Sequence, residues 1–204
     1  IKNYILENPK VIIESLNNYQ AQIEKEEKNT QQILLKKNRQ EISRSIQYFG
    51  NPNAKYIITE FFDYRCGYCV KAHGELKKLT QTNKNLKIVL KNLPILTQES
   101  YKLAKISLSV AIEDISKFDQ FHTYVFNNAK SLNNEKIKKY LSRLGLDADK
   151  IFKLSQGKEV ESLLDKDFVL AETLRIGGTP AFVINEEIYT GWVGSDTLKA
   201  ALKD

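Results

Sequence analysis

Residues 60–70 read EFFDYRCGYCV and hold both cysteines of the 204-residue chain, Cys66 and Cys69, with only Gly67 and Tyr68 between them. A thiol pair this close is either half of a zinc site or a dithiol that cycles with a disulfide. Structural zinc takes about four ligands. The only other soft ligands are His73, expected on the helix after the pair, and His122, far along the chain. Ligand supply therefore favours redox chemistry, and no metal is expected. Position agrees, because the pair lies between a β-rich run and a helix-forming run. A cysteine in the first turn of a helix meets unpaired N–H groups and the positive end of the macrodipole, which lower its pKa below the free value of ~8.5. Cys66 is the expected nucleophile. Cys69, one turn deeper on the same face, is the expected resolving thiol, able to attack a mixed disulfide at Cys66. An inert structural disulfide is the alternative, but closing so short a loop stabilises little and strains the bond.

Working outward, KYIITEFFD at 55–63 is apolar on both faces, as in a central sheet strand, and LKIVLKNLP at 86–94 is a second buried strand. Residues 66–82 read as helix between them, giving a βαβ unit that starts after the turn GNPN at 50–53. From 97 to 175 no comparable strand signal occurs. Leu103, Ile106 and Val110, then Leu141 and Leu144, then Leu163, Leu164, Phe168 and Leu170 mark a series of helices. In GGTPAFVINEEIYTGW, 177–192, AFVIN and EIYT flank a tight polar turn and read as a hairpin, and 195–203 reads as a closing helix. The fold class is α/β.

Residues 1–42 differ from the rest, lacking glycine and rich in Glu, Lys and Gln. Asn8-Pro9 reads as a helix start, and Ile12, Ile13, Leu16, Tyr19 and Ile23 form one apolar stripe at helical spacing. The polar interval EKEEKNTQQ, 24–32, is solvated helix or flexible linker; Ile33, Leu34 and Leu35 then resume the apolar signal before Ile42 and Ile46. Such a helix packs onto its own domain or onto copies of itself, and the polar interval favours copies.

The chain is 42% hydrophobic and 27% charged, and no apolar run approaches the ~18 residues of a membrane span, so a soluble globular protein is expected. The net charge of +6 comes from lysines interspersed with acids, without an aromatic-interleaved basic patch, and no nucleic-acid partner is expected. There is no methionine, and the chain starts at Ile1, as an exported protein would after loss of its signal and as a trimmed chain also would.

The segments FGNPNAKYIITEFFDYRCGYC, GGTPAFVIN and YTGW together resemble the DsbA family of thiol:disulfide oxidoreductases over roughly residues 46–204. The resemblance implies a thioredoxin fold, residues 43–96 and 176–204, with a helical domain inserted at 97–175; ahead of it, residues 1–42 are expected to be a helical oligomerisation segment with a polar linker. It implies a periplasmic protein that needs no cofactor beyond its own Cys66–Cys69 disulfide. Thr179-Pro180 matches the loop whose cis proline faces the dithiol in the family. The Thr179 backbone would pair with an extended client, and Gly67 and Tyr68 would flank it. Glu60 matches the family's buried acid beneath the cysteines, where a raised pKa suits it to relay the Cys69 proton. His73 does not stand between the cysteines, where the most oxidising members carry a histidine, and is expected to pack.

Gly67-Tyr68 in place of Pro-His implies a less oxidising couple, and Thr179 is similar to the isomerase and reductase members. With the N-terminal segment, the organisation resembles the trimeric ScsC-type proteins. The leading expectation is a homo-oligomeric, trimeric disulfide isomerase acting on unfolded or misoxidised secreted proteins and served by a membrane redox partner. The alternatives are a monomeric DsbA-like oxidase and a periplasmic copper-handling or chaperone module.

Overall fold

The computed structural model describes residues 2–202; Ile1, Lys203, which ends the expected closing helix, and Asp204 lie outside the described residues. The fold is organised by β2, Tyr56–Phe62, whose last five residues are all buried. β2 runs parallel to β3, Leu86–Asn92, with α4, Gly67–Thr82, as the crossover. On its other side β2 pairs antiparallel with β4, Ala181–Ile184, which turns into β5, Glu187–Thr190. Ile58, Leu76, Ile88, Leu90 and Phe182 are fully buried and belong to the main core cluster. Burial on both faces explains why β2 and β3 are unbroken apolar runs rather than alternating ones.

A further strand, β1, Tyr48–Gly50, completes the sheet order β1-β3-β2-β4-β5. The sequence reading places only a turn at 50–53 and misses this strand. Three residues are too few to show a period, and β1 exists through its antiparallel pairing with β3. Gly50 sits at φ 90°, and a Cβ there would lie 2.5 Å from the Leu86 carbonyl oxygen, so the close approach of the two chains requires glycine.

Between β3 and β4 run five helices: α5 (Gln98–Glu113), α6 (Ile115–Asn128), α7 (Asn134–Arg143), α8 (Ala148–Leu154) and α9 (Lys158–Thr173). The first four begin on side-chain caps, Thr97, Asp114, Asn133 and Asp147, each accepting an N–H of the first turn. The closing helix is α10, Ser195–Ala201.

At the N-terminus α1 (Lys2–Glu7) leads into α2 (Lys10–Lys37) and the short α3 (Arg39–Ser43). The polar interval 24–32 is helical, not a break: α2 runs unbroken through it, with Gln22 Nε2 donating to Glu26 Oε1 at 2.9 Å. The two alternatives for the extension divide along its length. Leu34, Leu35 and Ile42 pack with Phe61, Leu174, Ile176 and Val183, whereas Ile13, Leu16 and Tyr19 are each more than half exposed.

Candidate active site

The tip of β2 bends at Asp63, and the Cys66 N–H donates to the Asp63 carbonyl at 3.0 Å. Cys66 itself is the cap of α4, in extended backbone at φ −78° and ψ 118°, one position before the helix proper. Its sulfur accepts the N–H of Cys69 at 3.4 Å and donates to the Thr179 carbonyl at 3.3 Å. Thr179-Pro180 is cis, Pro180 is buried, and the loop lies directly against Cys66. Gly67 and Tyr68 are both exposed, and a Cβ at Gly67 would meet nothing within 4 Å, which leaves open space on this side of the site. Both cysteines are free thiols.

The two sulfurs are driven in opposite directions. The Cys66 thiol is lowered to about 6, chiefly by the hydrogen bond from the Cys69 thiol, with backbone N–H groups of Cys69 and Tyr68 and the Thr179 side chain adding to it against the cost of burial. Cys69 is fully buried, and its thiol is held far above the ordinary range by desolvation, then by its bond to Cys66 and the Glu60 charge. One sulfur is therefore mostly thiolate at neutral pH and the other a thiol that donates to it.

Glu60 stands on β2 opposite Leu90 of β3 and Phe182 of β4, in the middle of the sheet and fully buried. Neither carboxyl oxygen has a hydrogen-bond partner among the described residues. Burial, and secondarily the Cys66 charge, raise its pKa well above the usual carboxylate value.

His73 is buried four residues beyond Cys69 and packs, with Nε2 3.1 Å from Thr123 Oγ1 and its ring stacked on Phe126. His122, remote in sequence, lies beside it with ring centroids 4.9 Å apart. Burial keeps both neutral, lowering His73 to about 4. Among the described residues, no three His, Cys, Asp or Glu side chains are grouped to hold a metal. Sequence reasoning passed over Asp63, Tyr64 and Arg65, quoted only as the approach to the cysteines. Their partners lie far along the chain, at Leu96, Ser107, His122 and Ala129, and no local signal announces them.

A low-pKa thiol at a helix N-terminus, a second, buried thiol and a cis-proline loop are arranged here on a sheet that other solved proteins share. The thiol-disulfide exchange protein alpha-DsbA2 from Wolbachia pipientis superposes with a TM-score of 0.78 at 24% identity, covering 86% of this chain and 96% of that one. For the catalytic domain of Proteus mirabilis ScsC the TM-score is 0.75 at 26% identity, over 84% and 96% of the two chains. In sequence, the chain is 24% identical over 153 residues to the Na(+)/H(+) antiporter NhaA 1 of Salinispora arenicola, a match covering 75% of this chain. That match takes in 24% of the antiporter, so the chain spans about a quarter of the length of the curated relatives it matches. The family profile of the DSBA-like thioredoxin domain covers residues 57–203, from within β2 through the cysteines and the cis-proline loop. On that match, the chain belongs to the DSBA-like thioredoxin domain family.

Proposed function

We propose that the protein catalyses thiol:disulfide exchange on secreted proteins and works as an oligomeric disulfide isomerase. The opposed ionisation of Cys66 and Cys69 carries this reading, since a thiolate attacks a disulfide and a protonated neighbour does not interfere. In the first step the Cys66 thiolate attacks one sulfur of a client disulfide. The client S–S bond breaks, a Cys66–client disulfide forms, and the other client sulfur leaves as thiolate. Ionisation removes the proton that Cys66 shares with the Thr179 carbonyl, freeing that oxygen to accept an N–H from an extended client backbone. A second client thiolate then attacks the mixed disulfide, a rearranged client departs, and Cys66 returns as thiolate with no net electron transfer.

Resolution by Cys69 is the competing outcome. Once Cys66 is in a mixed disulfide its negative charge is gone, and that charge helps to raise both Glu60 and Cys69. Glu60 then gives up its own proton to solvent more readily and, as a carboxylate, accepts the Cys69 proton. Cys69 attacks the Cys66 sulfur, the client leaves reduced, and the Cys66–Cys69 disulfide remains for a membrane redox partner to restore. No other cofactor is needed.

Two features favour isomerisation over oxidation. A Cys66 value of about 6 is closer to thioredoxin at ~7 than to the strongest oxidase at ~3.5, so the thiolate is stabilised less and the couple is less oxidising. The exposed stripe Ile13, Leu16 and Tyr19 on α2 supports self-association, with a trimer favoured. Unpaired disulfide chemistry of this kind belongs to an oxidising compartment, here the periplasm. The test is recovery of activity from scrambled ribonuclease beside oxidation of a reduced dithiol peptide. Recovery without added oxidant is expected. Rapid peptide oxidation with no recovery overturns the isomerase in favour of an oxidase, and failure of both overturns thiol:disulfide exchange.

A further inference from the structure

The chemistry above uses Cys66, Cys69, Glu60 and Thr179 and leaves three residues between β2 and the nucleophile unexplained. Each is tied to a different part of the chain that follows β3. Asp63 is buried, and its Oδ1 accepts the Arg65 N–H at 2.7 Å while its Oδ2 accepts the Leu96 N–H at 3.0 Å, in the loop entering α5. The Tyr64 hydroxyl lies 2.5 Å from Ser107 Oγ on α5 and 2.7 Å from His122 Nδ1 on α6. Arg65 Nη1 donates to the Ala129 carbonyl at 2.6 Å, where α6 ends.

The Tyr64 contact is the end of a buried chain whose polarity can be assigned. Asn92 Nδ2 faces the Asp167 carboxylate at 3.2 Å and donates to Gln47 Oε1 at 2.6 Å, which fixes both amide orientations. Gln47 Nε2 then donates to Ser107 Oγ at 3.1 Å. With Ser107 accepting from Gln47, its own hydrogen goes to Tyr64 and that of Tyr64 goes to His122 Nδ1. Every hydroxyl hydrogen in the chain then has an acceptor, and the ring hydrogen of His122 falls on Nε2, which has no partner among the described residues. Lys91 closes the far end, 3.2 Å from Asp167 Oδ1. Tyr64 is thus held by a network reaching from β3 and α9 to α6.

We propose that Asp63, Tyr64 and Arg65 are positioning residues that clamp the Cys66 turn to α5, α6 and the loop before them, so that these helices set the geometry of the nucleophile. None of the three side chains touches a reacting sulfur. They act because Cys66 depends on donors in the first turn of α4, the Cys69 thiol and the N–H groups of Tyr68 and Cys69, and hydrogen bonds to sulfur weaken quickly when the turn shifts. The proposal rests on Cys66 being the nucleophile.

The test is titration of the Cys66 thiolate by its ultraviolet absorbance in the reduced full-length protein, beside a thermal melt of each variant. Tyr64→Phe keeps the ring and removes only the hydroxyl, Ser107→Ala releases that hydroxyl from the other side, and Arg65→Gln frees a half-buried side chain with little risk to folding. Each is expected to raise the thiolate midpoint by about half a pH unit or more, roughly a threefold change in ionisation. Ile151→Val in α8, which leaves every clamp hydrogen bond in place, is expected to lower the melting temperature and leave the midpoint in place. Clamp variants that melt lower yet titrate like wild type would reduce the network to structural support and overturn the proposal. A shift confined to Arg65→Gln and abolished by high salt would do the same, since it would report lost charge. The absorbance reports sulfur ionisation whether or not exchange is catalysed, so failure of the clamp and failure of the exchange reading give different results.

Discussion

Replacing Glu60 with leucine should stabilise the reduced protein, by an amount that grows with pH. Leucine approximates the volume of the side chain and removes two carboxyl oxygens that have no partner, each unmet polar group costing about 1–3 kcal/mol at any pH. The pH-dependent part follows from linkage. Burial, and then the Cys66 charge, raise the folded-state pKa of Glu60 above its unfolded value of 4.5, so the folded protein keeps a proton that the unfolded chain releases. Stability from this group is fully present below pH 4.5 and is lost as pH rises towards the folded value, at about 1.4 kcal/mol per pH unit. The stability gap between the two proteins therefore widens from pH 4.5 upward while the folded carboxyl keeps its proton. Urea denaturation of the two reduced proteins at intervals across this range measures it, because taking the difference cancels every other titrating group to first order. An unfolding free energy difference that is flat from about pH 5 to 7 would mean that Glu60 is ionised or solvated in the folded protein, and the reasoning would fail. The same variant should accumulate mixed disulfide, since Cys69 loses its proton acceptor.

Three further outcomes are expected. His73, lowered from 6.5 to about 4 mainly by burial, should make wild-type stability fall as pH drops through that interval, by up to about 3 kcal/mol, and His73→Phe should flatten the slope in urea melts. The Cys66 thiolate should titrate near 6, and Cys69→Ala should move that midpoint upward by removing its largest stabilising partner, as read by pH-dependent alkylation rates. Leu16→Asp on α2 should leave the circular dichroism spectrum and the melt of the catalytic body unchanged while lowering the solution mass by light scattering; an unaltered mass would separate the α2 stripe from self-association.

What the sequence reveals and what it hides divide by the distance over which each feature is encoded. β2 and β3 are visible because seven-residue strands buried on both faces leave continuous apolar runs, and Phe61 and Phe62 announce the burial of Glu60 beside them. Cys66 and Cys69 announce themselves by spacing, whereas Thr179-Pro180 is tied to them only by resemblance, because 113 residues separate Cys66 from Thr179. β1 and the Tyr64–His122 contact leave no mark, since each is made by partners that come together only when the sheet and helices are assembled. The extension is an intermediate case. Its stripe is legible, but what covers the stripe depends on length: at ~1.5 Å per residue the 28 residues of α2 reach about 42 Å. The body covers the last turns, where Leu34 and Leu35 dock behind the strand that follows the cis proline. Ile13, Leu16 and Tyr19 lie about four to six turns further out, and α2 is helical through the polar interval that a fold-back would have to bend. An arm that stays helical carries its apolar face away from its own core, and in the oligomer proposed above its length would set how far apart the thiols of two copies stand.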